Sequence, residues 1–261
     1  MPEGDTVYRT AHRLRRALAG RTLDRTDFRV PRYATADLSG SRAAAVRSVG
    51  KHLFIDFERP GGDEISLHTH LMMEGVWEVY RTGSRWRRPA HTARIVLRSG
   101  EVEAVGFDLA VVELLTDPAA AVAHLGPDLL GDDWDPARAV ARLSAEPEVP
   151  IGVAVLDQRN LAGIGNVYRS ELCFLRRIHP ATPVGDVDLP KTVDLAHRLL
   201  VDNRLRAVRS TTGVTARGRE LWVYGRDRRP CRRCGTAVMR EMLGAPPTAR
   251  SVYLCPRCQP R

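Results

Sequence analysis

The residues able to do covalent chemistry stand at the two ends of this 261-residue chain, which begins Met1-Pro2-Glu3-Gly4-Asp5-Thr6. Once an aminopeptidase removes Met1, as a small second residue permits, Pro2 presents a free secondary amine. An α-amino group titrates near pH ~8, well below a lysine at ~10, so a useful fraction is uncharged at neutral pH. Such an amine can attack a carbonyl-like carbon and form an iminium. Glu3, beside it, is placed to give or take protons. Proline is common as a second residue, so the hexapeptide carries weight only if the rest of the chain supports it.

At the other end, Cys231-x2-Cys234 and Cys255-x2-Cys258 are separated by twenty residues. Two pairs of thiolates on tight turns, with room between them for a hairpin, predict one closed structural zinc site of four sulfurs with no position for water. Two disulfides are the alternative, disfavoured in an intracellular chain. Cys173, next to Phe174 and Leu175, reads as a buried apolar residue. Arg226, Arg228, Arg229, Arg232, Arg233, Arg250 and Arg257 flank the paired cysteines, as in a finger that grips nucleic acid.

A third stretch runs from Asn160 to Glu171, Asn-Leu-Ala-Gly-Ile-Gly-Asn-Val-Tyr-Arg-Ser-Glu. Gly163 and Gly165 permit a tight turn with positive φ. Asn166 then heads a helix whose unpaired N–H groups and dipole predict an anion site, sized for a phosphate. Taken alone, an ordinary glycine-bearing turn between helices is the competing reading.

These groups need elements to position them. Length and a hydrophobic content of 43% suffice for two compact domains and a small appendage. The net charge of +9 is unevenly spread. Residues 1–100 carry 18 basic and 11 acidic side chains and residues 201–261 carry 14 and 4, whereas 101–150 carry 2 and 11. Positive charge gathered at both ends suits a protein that faces a phosphate backbone. No apolar stretch approaches the ~18–20 residues needed to cross a bilayer, and the polar, acidic start is no signal peptide. A cytoplasmic, nucleoid-associated setting with no membrane partner is the expectation.

Asp5 and Thr6 read as N-caps of a first helix, with Val7, Ala11, Leu14 and Leu18 on its buried side and Gly20 as its stop. From Thr22 to about Leu115 the pattern alternates. Leu53, Ile55 and Phe57 are followed by the turn Pro60-Gly61-Gly62-Asp63, then by Ile65 and Leu67, Val76 and Val79, Ile95 and Leu97, and Val102 and Val105. That spacing predicts a β-sandwich with the helix packed on it. A turn-rich acidic connection from Gly126 to Pro136 leads into helical periodicity, with Pro150 opening a helix through Asp157, another over Tyr168–Leu175 and a third from Pro190. The expected class is α+β and multidomain: residues 1–125 a helix plus β-sandwich, 126–225 a helical domain, 226–261 a β-hairpin zinc finger.

With these motifs in hand, the chain resembles the formamidopyrimidine-DNA glycosylase and endonuclease VIII family of base-excision repair enzymes. The likeness covers the whole length in order: the Pro2-Glu3 start with its helix, Gly50-Lys51 in a hairpin, the Asn166 turn of a helix-two-turn-helix motif, and the terminal finger. The resemblance implies that Pro2 attacks C1′ of a damaged nucleoside, the base leaves, and the Schiff base undergoes β- and δ-elimination. It implies Glu3 as the acid assisting sugar opening and base release, and Lys51 as a contact to phosphate near the lesion that aids proton transfer. Asn166 and Arg250 match the family's clamp on the phosphates flanking the lesion. Met73, two before Gly75, matches the wedge that fills the gap left by an extruded nucleotide, with a core residue at a strand end as the alternative. The implied partner is damaged double-stranded DNA, with single-stranded or bubble DNA left open, bound by a monomer that carries one Zn2+.

Three departures separate the chain from the formamidopyrimidine branch. Asp5-Thr6 stands where the family usually has proline and glutamate, which displaces or removes a second acidic helper. Val105-Gly106-Phe107-Asp108-Leu109 replaces that branch's Pro-Arg-Arg-Phe-Gly loop. The segment between Thr212 and Trp222 is shorter than the one covering an oxidised purine. These favour the endonuclease VIII side and oxidised pyrimidines. The same chemistry on 8-oxoguanine and formamidopyrimidines, or a non-catalytic binder of damaged DNA, are the alternatives.

Overall fold

The computed structural model describes residues 2–261; Met1, and with it the expected trimming of the terminus, lies outside the described residues. The chain divides into two compact units, one of Pro2 with Thr6–Ala123 and the other of Glu3–Asp5 with His124–Arg261.

Helix α1 (Gly4–Leu18) contributes Thr6 onward to the first unit. Eight strands follow: β1 (Arg25–Phe28), β2 (Arg42–Val49), β3 (His52–Glu58), β4 (Glu64–His70), β5 (Val76–Arg81), β6 (Ala93–Ser99), β7 (Val102–Phe107) and β8 (Val111–Leu115). They form two four-stranded antiparallel sheets, ordered β2-β3-β4-β8 and β1-β6-β7-β5. Because strand side chains alternate between faces, Leu53, Ile55 and Phe57 of β3 enter one core with Leu67, Trp77, Ile95, Leu97 and Ala104. Val7, Ala11, Leu14 and Leu18 join the same core at the three- and four-residue spacing of one helix face. The sandwich expected from the alternation is present. Asp5 and Thr6 do not cap α1, however. The helix already starts at Gly4, whose N–H bonds to the Gly163 carbonyl at 2.8 Å, and the Asp5 carboxylate is engaged by an arginine described below.

The second unit is helical, with a terminal hairpin. Helix α2 (Pro136–Ser144) is capped by Asp135, which accepts from the N–H groups of Ala137 and Arg138. Then come α3 (Ile151–Ala154), α4 (Asn166–Arg176), α5 (Leu189–Asn203), and β9 (Met239–Leu243) paired antiparallel with β10 (Arg250–Leu254). The helix expected from Pro150 to Asp157 is only the four residues of α3. Asp157 instead accepts the N–H of Arg159 at 2.9 Å and pairs with that side chain, a local turn that competes with helix propagation. Phe174 of α4 shares a core with Val223, Val238, Cys231 and Cys255, so the cysteine hairpin is packed onto the helix rather than hung from it.

Leu14 has almost no exposed surface. Leu14→Ala is expected to cost ~2–5 kcal/mol in urea unfolding, the range for emptying a packed leucine site. The exposed Leu205→Ala should stay within ~0.5 kcal/mol.

Candidate active site

Glu3 has no exposed surface. One carboxylate oxygen accepts the N–H of Gly165 at 2.8 Å and that of Tyr168 at 3.3 Å; the other accepts the N–H of Val167 at 2.7 Å. These donors belong to the first turn of α4, where a helix leaves N–H groups without internal partners and its dipole favours a negative charge. The anion site expected at Asn166 therefore exists, but it holds the chain's own carboxylate and not a phosphate. Gly163 adopts φ +106°, a conformation suited to glycine. Gly165 is extended, contrary to the expected positive φ, and is needed for its missing side chain: a Cβ there would lie 2.6 Å from the Glu3 carboxyl carbon.

Asp5 and Arg209 complete this corner. Arg209 Nε donates to one Asp5 oxygen at 2.7 Å, Nη2 donates to the other, and Nη1 lies 4.0 Å from Glu3. The guanidinium sits 4.9 Å above the Tyr168 ring. Burial works against the Arg209 charge, but the Asp5 and Glu3 carboxylates outweigh it and hold the group above its ordinary value. Burial, reinforced by Asp5, likewise raises the Tyr168 phenol. Sequence reasoning missed Arg209: its partner is 204 positions away, and nothing local separates it from the other arginines of the C-terminal third.

Asn166 meets Ser251, the residue after Arg250, at one corner of the second unit. Asn166 Nδ2 donates to the Ser251 carbonyl at 2.7 Å, and its Oδ1 accepts from Arg169. Arg169 also donates to the Ser251 carbonyl at 2.9 Å, and burial pushes its guanidinium down to about 10. Arg250, next to Ser251 on β10, is exposed. On the far side of α4, the fully buried Glu171 accepts from Thr211 Oγ1 and from the N–H groups of Trp222, Val223 and Tyr224 at 2.8, 2.8 and 2.9 Å. Arg232 braces the same segment by donating to the carbonyls of Leu221 and Gly218. Arg226 donates to those of Trp222 and Pro230, and Arg233 covers Phe174 at 4.4 Å. Three of the arginines expected to grip nucleic acid are thus engaged within the fold.

In the first unit, Pro2 is half-buried, and Lys51 stands in the turn joining β2 to β3, after Gly50 at φ +57°. Burial and the nearby Lys51 ammonium hold the His70 imidazole below its ordinary value. His70 Nδ1 accepts the Met72 N–H at 3.0 Å and so fixes the start of the loop Leu71–Gly75. Met73, 62% exposed at the crest of that loop, is not a core residue. The residues Val105–Phe107 end β7 in the sandwich, where a Cβ on Gly106 would strike Leu109 and Ile95, and Asp108 turns at φ +51°. Next to Lys51, His52 and His68 share a hydrogen bond of 2.9 Å, and His68 reaches Glu113 at 3.0 Å. The spacing His68-x-His70 was the only signal for that row.

The sulfur atoms of Cys231, Cys234, Cys255 and Cys258 all lie within 4.8 Å of one another, placed to hold one metal ion. Cys173 is buried, as expected.

The chain matches the formamidopyrimidine-DNA glycosylase N-terminal domain over residues 1–109 and the formamidopyrimidine-DNA glycosylase H2TH domain over residues 125–217. It belongs to the formamidopyrimidine-DNA glycosylase family. Endonuclease 8 2 of Mycobacterium tuberculosis is 51% identical over 266 residues, covering 99% of this chain and 100% of that protein. The DNA-(apurinic or apyrimidinic site) lyase Nei2 of Mycolicibacterium smegmatis is 50% identical over 263 residues, covering 99% of each. Among solved structures, the Lactococcus lactis Fpg (MutM) complex with DNA containing N7-benzyl-Fapy-dG superposes with a TM-score of 0.79 at 22% identity over all of both chains.

Burial pushes the Cys173 thiol up to about 12, which leaves roughly one molecule in ten thousand as thiolate at pH 8. Under native conditions at pH 8 a thiol reagent followed by mass spectrometry should leave Cys173 unmodified until the protein is unfolded; rapid native labelling would contradict the packing.

Proposed function

We propose that this protein is a bifunctional DNA glycosylase and AP lyase of base-excision repair, acting on oxidised bases through its N-terminal proline. The observation that carries the reading is Glu3, held by three N–H bonds at the start of α4, because it fixes the residue bonded to Pro2. The Pro2 nitrogen bonds to C1′ as the C1′–base bond breaks and its electrons leave with the base. Glu3 assists opening of the sugar: the C1′–O4′ bond breaks, O4′ takes up a proton, the Pro2 nitrogen gives one up, and C1′ and that nitrogen are left joined as an iminium. Loss of the C2′ proton then expels the 3′ phosphate, and a second elimination expels the 5′ phosphate. Lys51 contacts phosphate near the lesion, Asn166 and Arg250 clamp the flanking phosphates, and Met73 fills the vacated stack. Those contacts offset the few kcal/mol that extruding a nucleotide costs.

Oxidised pyrimidines are the proposed substrates, supported by the two endonuclease 8-type relatives and by a β7 end that carries no arginine loop. The partner is damaged double-stranded DNA, met as a monomer in the cytoplasm at the nucleoid. We assign the cysteine cluster to Zn2+. Four thiolates at ~2.3 Å from a tetrahedral zinc stand ~3.8 Å apart, and the spacings Cys231–Cys258 and Cys234–Cys255 are 3.9 and 3.5 Å. A closed four-sulfur zinc supplies no water to the reaction. The four cysteines anchor the hairpin that carries Arg250. The proposed functional division of the chain is 1–125 for the sandwich, 126–225 for the helical domain and 226–261 for the cysteine hairpin.

Borohydride should trap the protein covalently on an abasic duplex, and both Pro2→Gly and retention of Met1 should lower the yield at least tenfold. Yields indifferent to both changes would move the nucleophile, with Lys51 the next candidate. Faster cleavage of a 5-hydroxyuracil duplex than of an 8-oxoguanine duplex is expected, and the reverse order would reassign the substrate. Cys234→Ser should release the metal, disorder the hairpin and abolish tight DNA binding, while the far-ultraviolet β signal of the sandwich persists.

A further inference from the structure

The reaction proposed above depends on where the Glu3 carboxylate sits, and α4 approaches it from one side only. Two cations act on it: Arg169 through its field, and Arg209, which forms the ion pair and whose fork is shared, Nε and Nη2 engaging Asp5 while Nη1 faces Glu3 at 4.0 Å. Arg209 is itself set from behind. Asn203, the buried last residue of α5, donates to the Ser210 carbonyl at 3.0 Å and accepts the Ser210 N–H at 2.7 Å. Thr211 bonds through its hydroxyl to Glu171 and through its N–H to the Glu220 carbonyl at 2.9 Å. The backbone on the C-terminal side of Arg209 is therefore pinned to both α5 and α4, and swinging the side chain away would leave buried groups unpaired.

We propose that Arg209 is the positioning residue of Glu3, and that Asp5 orients Arg209 instead of acting on substrate. The inference rests on the reading of Glu3 as a participant in base release. It gives the carboxylate of the Asp5-Thr6 departure a definite task. It also ties the placement of Glu3 to the segment from Arg209 to Tyr224, which Glu171 closes at its other end. A guanidinium lying over the Tyr168 ring can make a two-pronged contact with Asp5 while still facing Glu3; a lysine ammonium can supply the charge but not the fork.

The test is single-turnover base release from whichever oxidised-base duplex the wild type cleaves faster, with duplex affinity and the thermal midpoint measured alongside. Arg209→Met is expected to slow base release ~10–100-fold, the scale set by misplacing a reacting group by about 1 Å, with affinity within about twofold. Arg209→Lys should recover part of the rate. Arg209→Met paired with Asp5→Asn leaves no orphaned Asp5 charge to unfold the protein, and it should remain as slow as Arg209→Met. Wild-type rates in the variants, no advantage of lysine over methionine, or a joint fall of rate, affinity and thermal midpoint would each overturn the proposal. A wild type that borohydride cannot trap on an abasic duplex would overturn the functional reading itself, which separates the two failures.

Discussion

A helix that starts inside a protein has to find partners for its first N–H groups, and in this chain that requirement is met by Glu3. Three N–H bonds to a carboxylate, at ~1.5–3 kcal/mol each for charged hydrogen bonds, are of the same order as the several kcal/mol lost when a charge leaves water. Neither partner is comfortable alone. The start of α4 without Glu3 is a set of buried donors, and Glu3 without α4 is a buried charge. Mutual need of this kind fixes a side chain more firmly than apolar packing does, because a small displacement unpairs several groups together. The glycines follow from it: Gly165 admits the carboxylate, and Gly4 and Gly163 lie so close that a Cβ on Gly4 would stand 2.9 Å from the Gly163 Cα.

The same helix repeats the device five residues on. Glu171 gathers the N–H groups of Trp222, Val223 and Tyr224 as Glu3 gathers those of the α4 start. Two buried carboxylates thus fasten an N-terminal residue and a C-terminal segment to α4, and the arginines divide accordingly. Arg169, Arg209, Arg226, Arg232 and Arg233 donate to or cover other groups of the fold, Arg232 and Arg233 from exposed positions, while Arg228, Arg229, Arg250 and Arg257 are exposed. A charge count from composition therefore overstates what the C-terminal third can offer to phosphates.

What the sequence made legible follows the range of the interactions. Strand alternation in Leu53–Ile55–Phe57 and the helical stripe from Val7 to Leu18 are written within a few residues and are found as read, and the two cysteine pairs come together in one four-sulfur cluster. The anion site at Asn166 was legible as a place but not in its occupant, since local spacing says that a negative charge belongs there without saying whose. Asp5 looked like a cap because its neighbours look like a helix start; its partner Arg209 lies in another part of the chain. Pro150 has the signature of a start for two helical turns, but the turn that Asp157 makes with Arg159 competes with the second of them. Met73 could be wedge or core on sequence alone, and its exposure removes the core reading.

The proposed choice of Pro2 as nucleophile is consistent with these constraints. A chain terminus is ordinarily the most mobile part of a protein. Here Glu3 has its side chain fully engaged, and consecutive Cα atoms are ~3.8 Å apart, so anchoring Glu3 confines Pro2 to the reach of one peptide unit. A lysine would bring four rotatable bonds and a pKa near ~10.4, leaving about one molecule in two thousand uncharged at pH 7. An α-amino group near ~8 leaves about one in ten. That difference, a factor of roughly two hundred in reactive amine or ~3 kcal/mol, comes without burying a lysine to lower its pKa. A terminal imino acid next to an immobilised carboxylate, the nucleophile proposed for this chain, combines a reactive amine with a fixed position, whereas Lys51 is set apart in its own turn between β2 and β3.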